Sequence, residues 1–318
     1  MKKVLILMEL SSGQRKKLEA AGAGSALTFS SPDRVSEEDI QEANVIIGLP
    51  KADMIQASEN LELLQLESAG ADAYTAPGVL NEKTALTNAT GAYSQAVAEH
   101  ALALTIMLQK KLHLYRDGQR AARWQDRGCV SSLRGGTVAV VGLGDIGGYY
   151  ARLVKYMGAY VIGVKRRPSA LPEYVDELML TEQLNEVLPR ADVVMSVLPN
   201  TPATRYIYTD ESFRLMKDSA IFINCGRGNA VSAQTLYRAL TEGQIAAAGI
   251  DVAETEPLPE NSPLWGLENL MITPHISGSH HLPETVDRIV DICAGNLHAF
   301  LNGGKLKNVV DLSTGYKT

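Results

Sequence analysis

The chain is poor in cysteine. Its three residues, Cys129, Cys225 and Cys293, are odd in number, far apart, and form no CxxC pair. That excludes a disulfide framework and a thiolate zinc site, and it suits a reducing compartment, read here as the cytoplasm. A basic surplus is also lacking. Lys and Arg total 30 against 36 Asp and Glu, leaving a formal charge of −6, so nothing offers a cationic footprint to nucleic acid. The acidic balance bears on solubility and says nothing of chemistry. No uncharged apolar run approaches ~18 residues, so no membrane span is expected. The N-terminal run 4–8 is short, Glu9 follows it, and no small-residue cleavage site comes after. It reads as a buried first strand and not as a signal peptide. There is no internal repeat and no low-complexity tract.

What is present suits an ordinary globular protein. A length of 318 residues exceeds one average domain and fits two, each with enough chain to bury a core. Apolar runs of strand length recur at 4–8, 45–48 and 63–66, with a helical stretch at 14–21 between the first two. This first α/β series ends near residue 95. From Ser94 to Arg116 the spacing of Ala96, Val97, Ala101, Leu104, Ile106, Met107 and Leu108 predicts one long helix, apolar over most of its surface. Such a helix is buried or is covered by a neighbouring subunit, which motivates a homodimer. A second series follows, with strands at 138–141, 160–164, 193–197, 220–224, 247–251 and 270–273, and a helix at 149–157. A final helix runs from about residue 282 past Leu297, followed by a short polar tail. Strands alternating with helices mean an α/β chain with doubly wound parallel sheets.

The strand at 138–141 runs straight into Gly142-Leu143-Gly144-Asp145-Ile146-Gly147. In a dinucleotide site the first glycine permits the tight turn. The second lets backbone approach a pyrophosphate, and the third allows close helix–strand packing. The pyrophosphate then lies on helix N-terminal amides, those of Asp145 and Ile146 here. A lone GxGxxG is weak, but this one sits between a strand and a helix, as the motif requires. An NAD site wants a carboxylate about 20 residues on, to accept from the ribose hydroxyls. The sequence has Lys165, Arg166 and Arg167 there instead. Three cations suit the 2′-phosphate of NADP, at ~1.5–3 kcal/mol for each charge-assisted hydrogen bond. The plainer alternative is a solvated charge run at a strand end.

Arg227, Glu256 and His275 each lie just past the C-terminal end of an expected strand, where open α/β sheets bind ligands. Arg227 is flanked by Gly226 and Gly228 and carries a fork that matches a carboxylate. His275 is the side chain best suited to move a proton near neutral pH, and Glu256 is placed to orient it. Taken singly, each has a bland reading: a surface arginine, a hydrogen-bonded structural histidine, a glutamate that only begins a turn at Pro257.

In order and spacing, the segments 142–147, 224–228, 251–257 and 273–278 resemble the D-isomer-specific 2-hydroxyacid dehydrogenases, a family that includes glyoxylate/hydroxypyruvate reductases and phosphoglycerate dehydrogenases. The resemblance covers nearly the whole chain. The segment 198–205, Leu198-Pro199-Asn200-Thr201-Pro202-Ala203-Thr204-Arg205, is similar to the family's cofactor-contacting loop. Ser68-Ala69-Gly70-Ala71-Asp72 is similar to its substrate-carboxylate loop, and Val97-Ala98-Glu99-His100 to the start of its interdomain helix. The resemblance implies a Rossmann cofactor domain, residues 99–281, inserted into a flavodoxin-like substrate domain made of 1–98 and 282–318. It implies hydride transfer between NADP(H) and C2 of a small 2-oxo acid, with NAD(H) a possible alternative and a phosphoglycerate-type enzyme the runner-up. Arg227 would bind the carboxylate and polarise the carbonyl, His275 would be the acid/base, and Glu256 its partner. Asp251 would anchor the nicotinamide carboxamide. Leu198, Pro199, Thr204, Cys225, Gly226, Ser277 and Gly278 would border the cofactor, with Cys225 a small packing residue. Amides around Ala69, Gly70 and Ala71 would hold the substrate carboxylate, and the two domains would close over the substrate. Two features depart from the common pattern: the cations at 165–167, and His280-His281 after the site, read as a solvated loop and not as metal ligands. No metal is expected. From another class, a non-catalytic dinucleotide sensor on the same fold is the alternative, against which the complete Arg–Glu–His set stands.

Overall fold

The computed structural model describes residues 1–56 and 58–312; the last part of the tail, 313–318, lies outside the described residues. The chain divides into two compact units, one formed by Met1–Tyr93 with His280–Thr318, the other by Ser94–Ser279. The division falls at the first residue of a helix, Ser94–Gln109.

The first unit holds a parallel sheet of five strands: β1 (Lys3–Leu7), β2 (Ala26–Phe29), β3 (Val45–Gly48), β4 (Leu63–Gln65) and β5 (Ala85–Thr87), in the order β2-β1-β3-β4-β5. That is the flavodoxin-like order. The inner strands β1, β3 and β4 are buried along almost their full length, so they read as continuous apolar runs, as strands covered on both faces do. The helix Ser12–Ala21 starts on a reciprocal cap, with the Ser11 hydroxyl accepting from the Gln14 amide and the Gln14 side chain accepting from the Ser11 amide. It packs beside the final helix, Pro283–Leu301, to which Gln14 is tied by a 2.8 Å bond to Asp287.

Beyond β4 lies Glu67. Burial first, then the charge of Glu9, push its carboxyl up to about 7. The folded chain therefore holds a proton there over a range in which the unfolded chain has lost it. The stability this contributes is fully present below the unfolded value, near 4.5, and is lost as pH rises through about 7. Glu67→Gln is expected to stabilise the protein at pH 8 by on the order of 2 kcal/mol and to change little at pH 5. Thermal unfolding at the two pH values checks this, and equal shifts at both would contradict it.

The second unit holds a parallel sheet of seven strands: β6 (Thr137–Val141), β7 (Tyr160–Lys165), β8 (Glu177–Leu180), β9 (Val193–Ser196), β10 (Ile221–Asn224), β11 (Ala247–Ile250) and β12 (Leu270–Ile272), ordered β12-β11-β10-β9-β6-β7-β8. The order reverses between β6 and β9, the Rossmann switch point at which such sheets open a crevice. Phe222 anchors one face of the core, with edge-to-face contacts to Tyr208 and Phe213 at 4.9 and 5.3 Å between ring centres.

The expected long helix 94–116 is two helices. Ser94–Gln109 ends before Lys111, whose φ of +57° is left-handed, and Leu112–Arg120 follows. Nor is the first helix apolar to no purpose on all sides. One face packs into its own unit, with Leu104 and Leu108 against Gly249 of β11 and the Thr105 hydroxyl bonded to Tyr150 at 2.9 Å. The large exposed apolar side chains come after the break, at Leu112, Tyr115, Trp124 and Val130. The glycine-turn helix also differs from the reading. It runs Asp145–Tyr156 and not from Tyr149, taking Gly147 and Gly148 into its first turn although glycine is a poor helix former. Among the described residues, no helix is long and apolar enough to cross a membrane.

Candidate active site

The glycine turn leaves β6 with Gly142 at φ +101°, where a Cβ would stand 2.6 Å from the Val197 carbonyl. At Gly147 a Cβ would meet the Gly142 carbonyl at 2.2 Å. Both positions exclude any larger side chain. Gly144, by contrast, is exposed and has open space before it. It caps the Asp145–Tyr156 helix and no side chain closes that end. Ile146 is half-buried behind it. A bare, unoccluded helix N-terminus of this kind fits a pyrophosphate. At the end of β7, Lys165 donates to the Ser169 hydroxyl at 3.0 Å, while Arg166 and Arg167 are exposed. These cations fit a phosphate, and no carboxylate interrupts them in sequence.

The next loops stack against this turn. A Cβ at Gly226 would lie 2.6 Å from the Leu198 amide, so the loop after β10 rests on the backbone of the loop after β9. Within the 199–204 loop, the Thr204 hydroxyl donates to the Pro199 carbonyl at 2.6 Å and accepts from the Thr201 amide at 3.0 Å. That hydroxyl serves its own loop. Cys225 is buried, and burial, with the Asp251 charge beside it, pushes its thiol well above the usual range. It is a packing residue, not a thiolate.

Arg227 is held from behind by Asn224, which ends β10 with no exposed surface. The Asn224 side chain donates to the Arg227 carbonyl and accepts from the Gly226 amide, both at 3.1 Å. The Arg227 guanidinium donates to the Gly226 carbonyl at 3.0 Å. Asn224 carries no role in the sequence reading; its signal is one polar residue closing the run Ile221-Phe222-Ile223.

After β11, Glu256 divides its two oxygens. Oε1 accepts from the Ala253 amide at 2.9 Å and Oε2 from His275 Nδ1 at 2.7 Å. A carboxylate only accepts, so Nδ1 carries the proton and Nε2 is the working nitrogen. His275 stands after β12 at φ +53°, an uncommon conformation for a residue with a side chain. Its amide donates to the Asp251 carbonyl at 2.8 Å. The Asp251 carboxylate, 1% exposed, accepts from the Thr273 hydroxyl and from the Ile276 and Ser277 amides at 2.6, 3.0 and 3.0 Å. The sequence reading gives Asp251 a cofactor contact; here most of its accepting capacity goes to the His275 turn. Ser277 is buried and Gly278 half-buried beside it, whereas His280 and His281 are exposed.

Arg227's loop touches the Glu256 loop directly. A Cβ at Gly228 would fall 1.8 Å from the Ala253 carbonyl oxygen. Gly228→Ala must therefore push the two loops apart. It is expected to lower kcat more than tenfold, a loss of about 1.4 kcal/mol or more, while dinucleotide binding, followed by fluorescence, survives. Unchanged kcat would contradict this coupling.

In the first unit, the turn after β4 fastens four successive carbonyls. Ser68 accepts from the Ala89 amide, Ala69 from the Asn88 side chain, Gly70 from the Ser68 hydroxyl and Ala71 from the Tyr74 amide. Among the described residues, the Gly70 and Ala71 amides have no acceptor. Adjacent amides without an acceptor suit an anion nest.

Residues 102–277 match the family described as D-isomer specific 2-hydroxyacid dehydrogenase, NAD binding domain. The chain belongs to the D-isomer-specific 2-hydroxyacid dehydrogenases. As a member it is an NAD(P)-dependent enzyme acting on a CH–OH group. It is 31% identical over 263 residues to the human glyoxylate reductase/hydroxypyruvate reductase, covering 80% of this chain and 79% of that protein. It is similar across 98% of its length to a family protein from Aeromonas salmonicida, covering 99% of that chain, with 30% identity and a TM-score of 0.86. A family enzyme from Xanthobacter autotrophicus, solved with NADPH and MES, is similar at 29% identity and a TM-score of 0.84, each chain covered to 99%.

Proposed function

We propose that the enzyme is an NADP(H)-preferring reductase of small 2-oxo acids, of the glyoxylate or hydroxypyruvate type. The observation that carries the chemistry is the His275–Glu256 pair beside the Arg227 loop. When bound, a reduced nicotinamide supplies the hydride. In reduction, His275 Nε2 delivers a proton to the carbonyl oxygen while Glu256 holds the imidazole through Nδ1. Arg227 pairs with the substrate carboxylate and stabilises charge growing on the carbonyl oxygen, a contribution that is large where water is excluded. The Gly70 and Ala71 amides, with Ala69 setting the turn, are assigned to an anionic group of the substrate. The inserted 99–281 segment is assigned to the dinucleotide, and the flanking segments to the substrate. The NADP(H) preference rests on Lys165, Arg166 and Arg167, and a similar enzyme was solved with NADPH.

Turnover of glyoxylate, hydroxypyruvate and bulkier 2-oxo acids, each with NADPH and NADH, tests this. Equal kcat/KM for the two cofactors would overturn the preference. Absence of any turnover would favour the sensor reading, and turnover of phosphorylated substrates with NADH alone would favour the phosphoglycerate type.

The reading extends to a homodimer. Leu112, Tyr115, Trp124 and Val130 are large, apolar and exposed within one stretch of the chain, which supports a surface for a partner there if they form one patch. A monomeric mass by light scattering at micromolar concentration would overturn it. The three free thiols support a reducing compartment, the cytoplasm.

A further inference from the structure

His100 belongs to the Ser94–Gln109 helix, far in sequence from every residue given a role in the reaction. Its Nε2 lies 2.9 Å from the Thr273 hydroxyl and 3.8 Å from Asp251 Oδ1. The direction of these contacts follows from proton counting. The Thr273 hydroxyl has one proton, and it is committed to Asp251 Oδ1 at 2.6 Å, because a carboxylate only accepts. Toward His100 the hydroxyl must therefore be the acceptor, so Nε2 is a protonated nitrogen. Asp251 Oδ1 also takes the Ile276 amide, which fills both of its lone pairs and leaves none for the imidazole.

We propose that His100 is a positioning residue for His275. The donor sequence runs from His100 Nε2–H to Thr273 Oγ1–H to the Asp251 carboxylate. That carboxylate grips the turn on both sides of His275, through Thr273 before it and the Ile276 and Ser277 amides after it. A residue at positive φ persists only where its surroundings over-determine it, and here four bonds to one aspartate do so, counting the His275 amide on the Asp251 carbonyl. Without the His100 donor, the Thr273 hydroxyl is no longer held toward Asp251 and the turn loses one of these constraints. The role rests on His275 being the acid/base.

The test compares H100L, H100Q and T273V. Glutamine places an N–H donor the same number of bonds from Cβ as the imidazole Nε2, so it preserves the contact while removing the ring. With glyoxylate and NADPH, H100L is expected to lower kcat about tenfold with KM changed less than about threefold, since misplacing a reacting group costs rate before binding. H100Q should recover to within about threefold, and H100L/T273V should be no worse than T273V, because the two act in one network. Independently of turnover, hydrogen exchange in the 272–279 peptide should quicken in H100L and not in H100Q. H100Q as impaired as H100L, additive losses in the double variant, or unchanged exchange in H100L would each overturn the proposal. If the wild-type enzyme reduces no 2-oxo acid, the reductase reading falls, and the exchange comparison still decides whether His100 holds the turn.

Discussion

His275→Asn is expected to lower kcat about 10²- to 10⁴-fold, the usual contribution of a positioned general acid, and to leave cofactor affinity within a few-fold of the wild type. The geometry explains the split. His275 is exposed after β12, and among the described residues its ring is hydrogen-bonded to Glu256 alone. Truncation therefore removes proton delivery without touching the glycine turn or the β7 cations. Asparagine keeps a polar group of modest size on a backbone at φ +53°, a region asparagine tolerates better than most residues. The fold of the turn then survives and the loss reads as chemistry. Steady-state kinetics with NADPH, with fluorescence titration of the cofactor, checks both halves. A rate within threefold of the wild type would remove His275 from the acid role. Glu256→Gln is the companion change: its single carbonyl oxygen can accept from Nδ1 or from the Ala253 amide but not from both, so its loss reports the charge together with one hydrogen bond.

Lys165→Asp is expected to exchange the proposed cofactor preference. Lys165 is half-buried at the end of β7, with its ammonium on the Ser169 hydroxyl. A carboxylate there accepts from ribose hydroxyls and repels a 2′-phosphate. Losing one charge-assisted bond at ~1.5–3 kcal/mol, and adding a like charge, should lower kcat/KM for NADPH at least about 10- to 100-fold while that for NADH rises. Arg166 and Arg167 remain in the variant, so the exchange is partial. Adding R166A and R167A deepens the NADPH loss. The ratio of kcat/KM for the two cofactors is the readout, and a ratio unmoved by K165D would return these cations to the role of a solvated charge run.

The elements that are hard to read in the sequence share a position. β2, β5 and β8 lie at sheet edges. These three edge strands are covered on fewer sides and carry no continuous apolar run, whereas the edge strand β12, apolar throughout, is legible. Every residue of β8 is only half-buried, and β2 includes an exposed threonine. The inner strands, buried throughout, announce themselves. The break at Lys111 is equally silent, because lysine suits a helix as well as the turn it makes here. Within the site, Arg227, Glu256 and His275 are legible because each follows an apolar run and belongs to a motif. Their support is not. His100 and Thr273 are 173 positions apart, and no local pattern pairs a helix histidine with a threonine on a distant strand end. Thr204 sits in a recognisable loop, but that its hydroxyl bonds inward appears only in three dimensions.

The turn after β4 carries a different kind of information. Its donors, the amides of Gly70 and Ala71, belong to the main chain. An alanine scan across 68–72 deletes neither of them and would pass over the substrate contact proposed for them. Ala71→Pro is the change that finds it, because proline removes the N–H and its fixed φ does not match the −127° held there. Side chains that do not fasten this turn, unlike Ser68 and Asn88, can change while the two amides persist. The heritable trait is a conformation, which tallies of residue identity in related chains do not record.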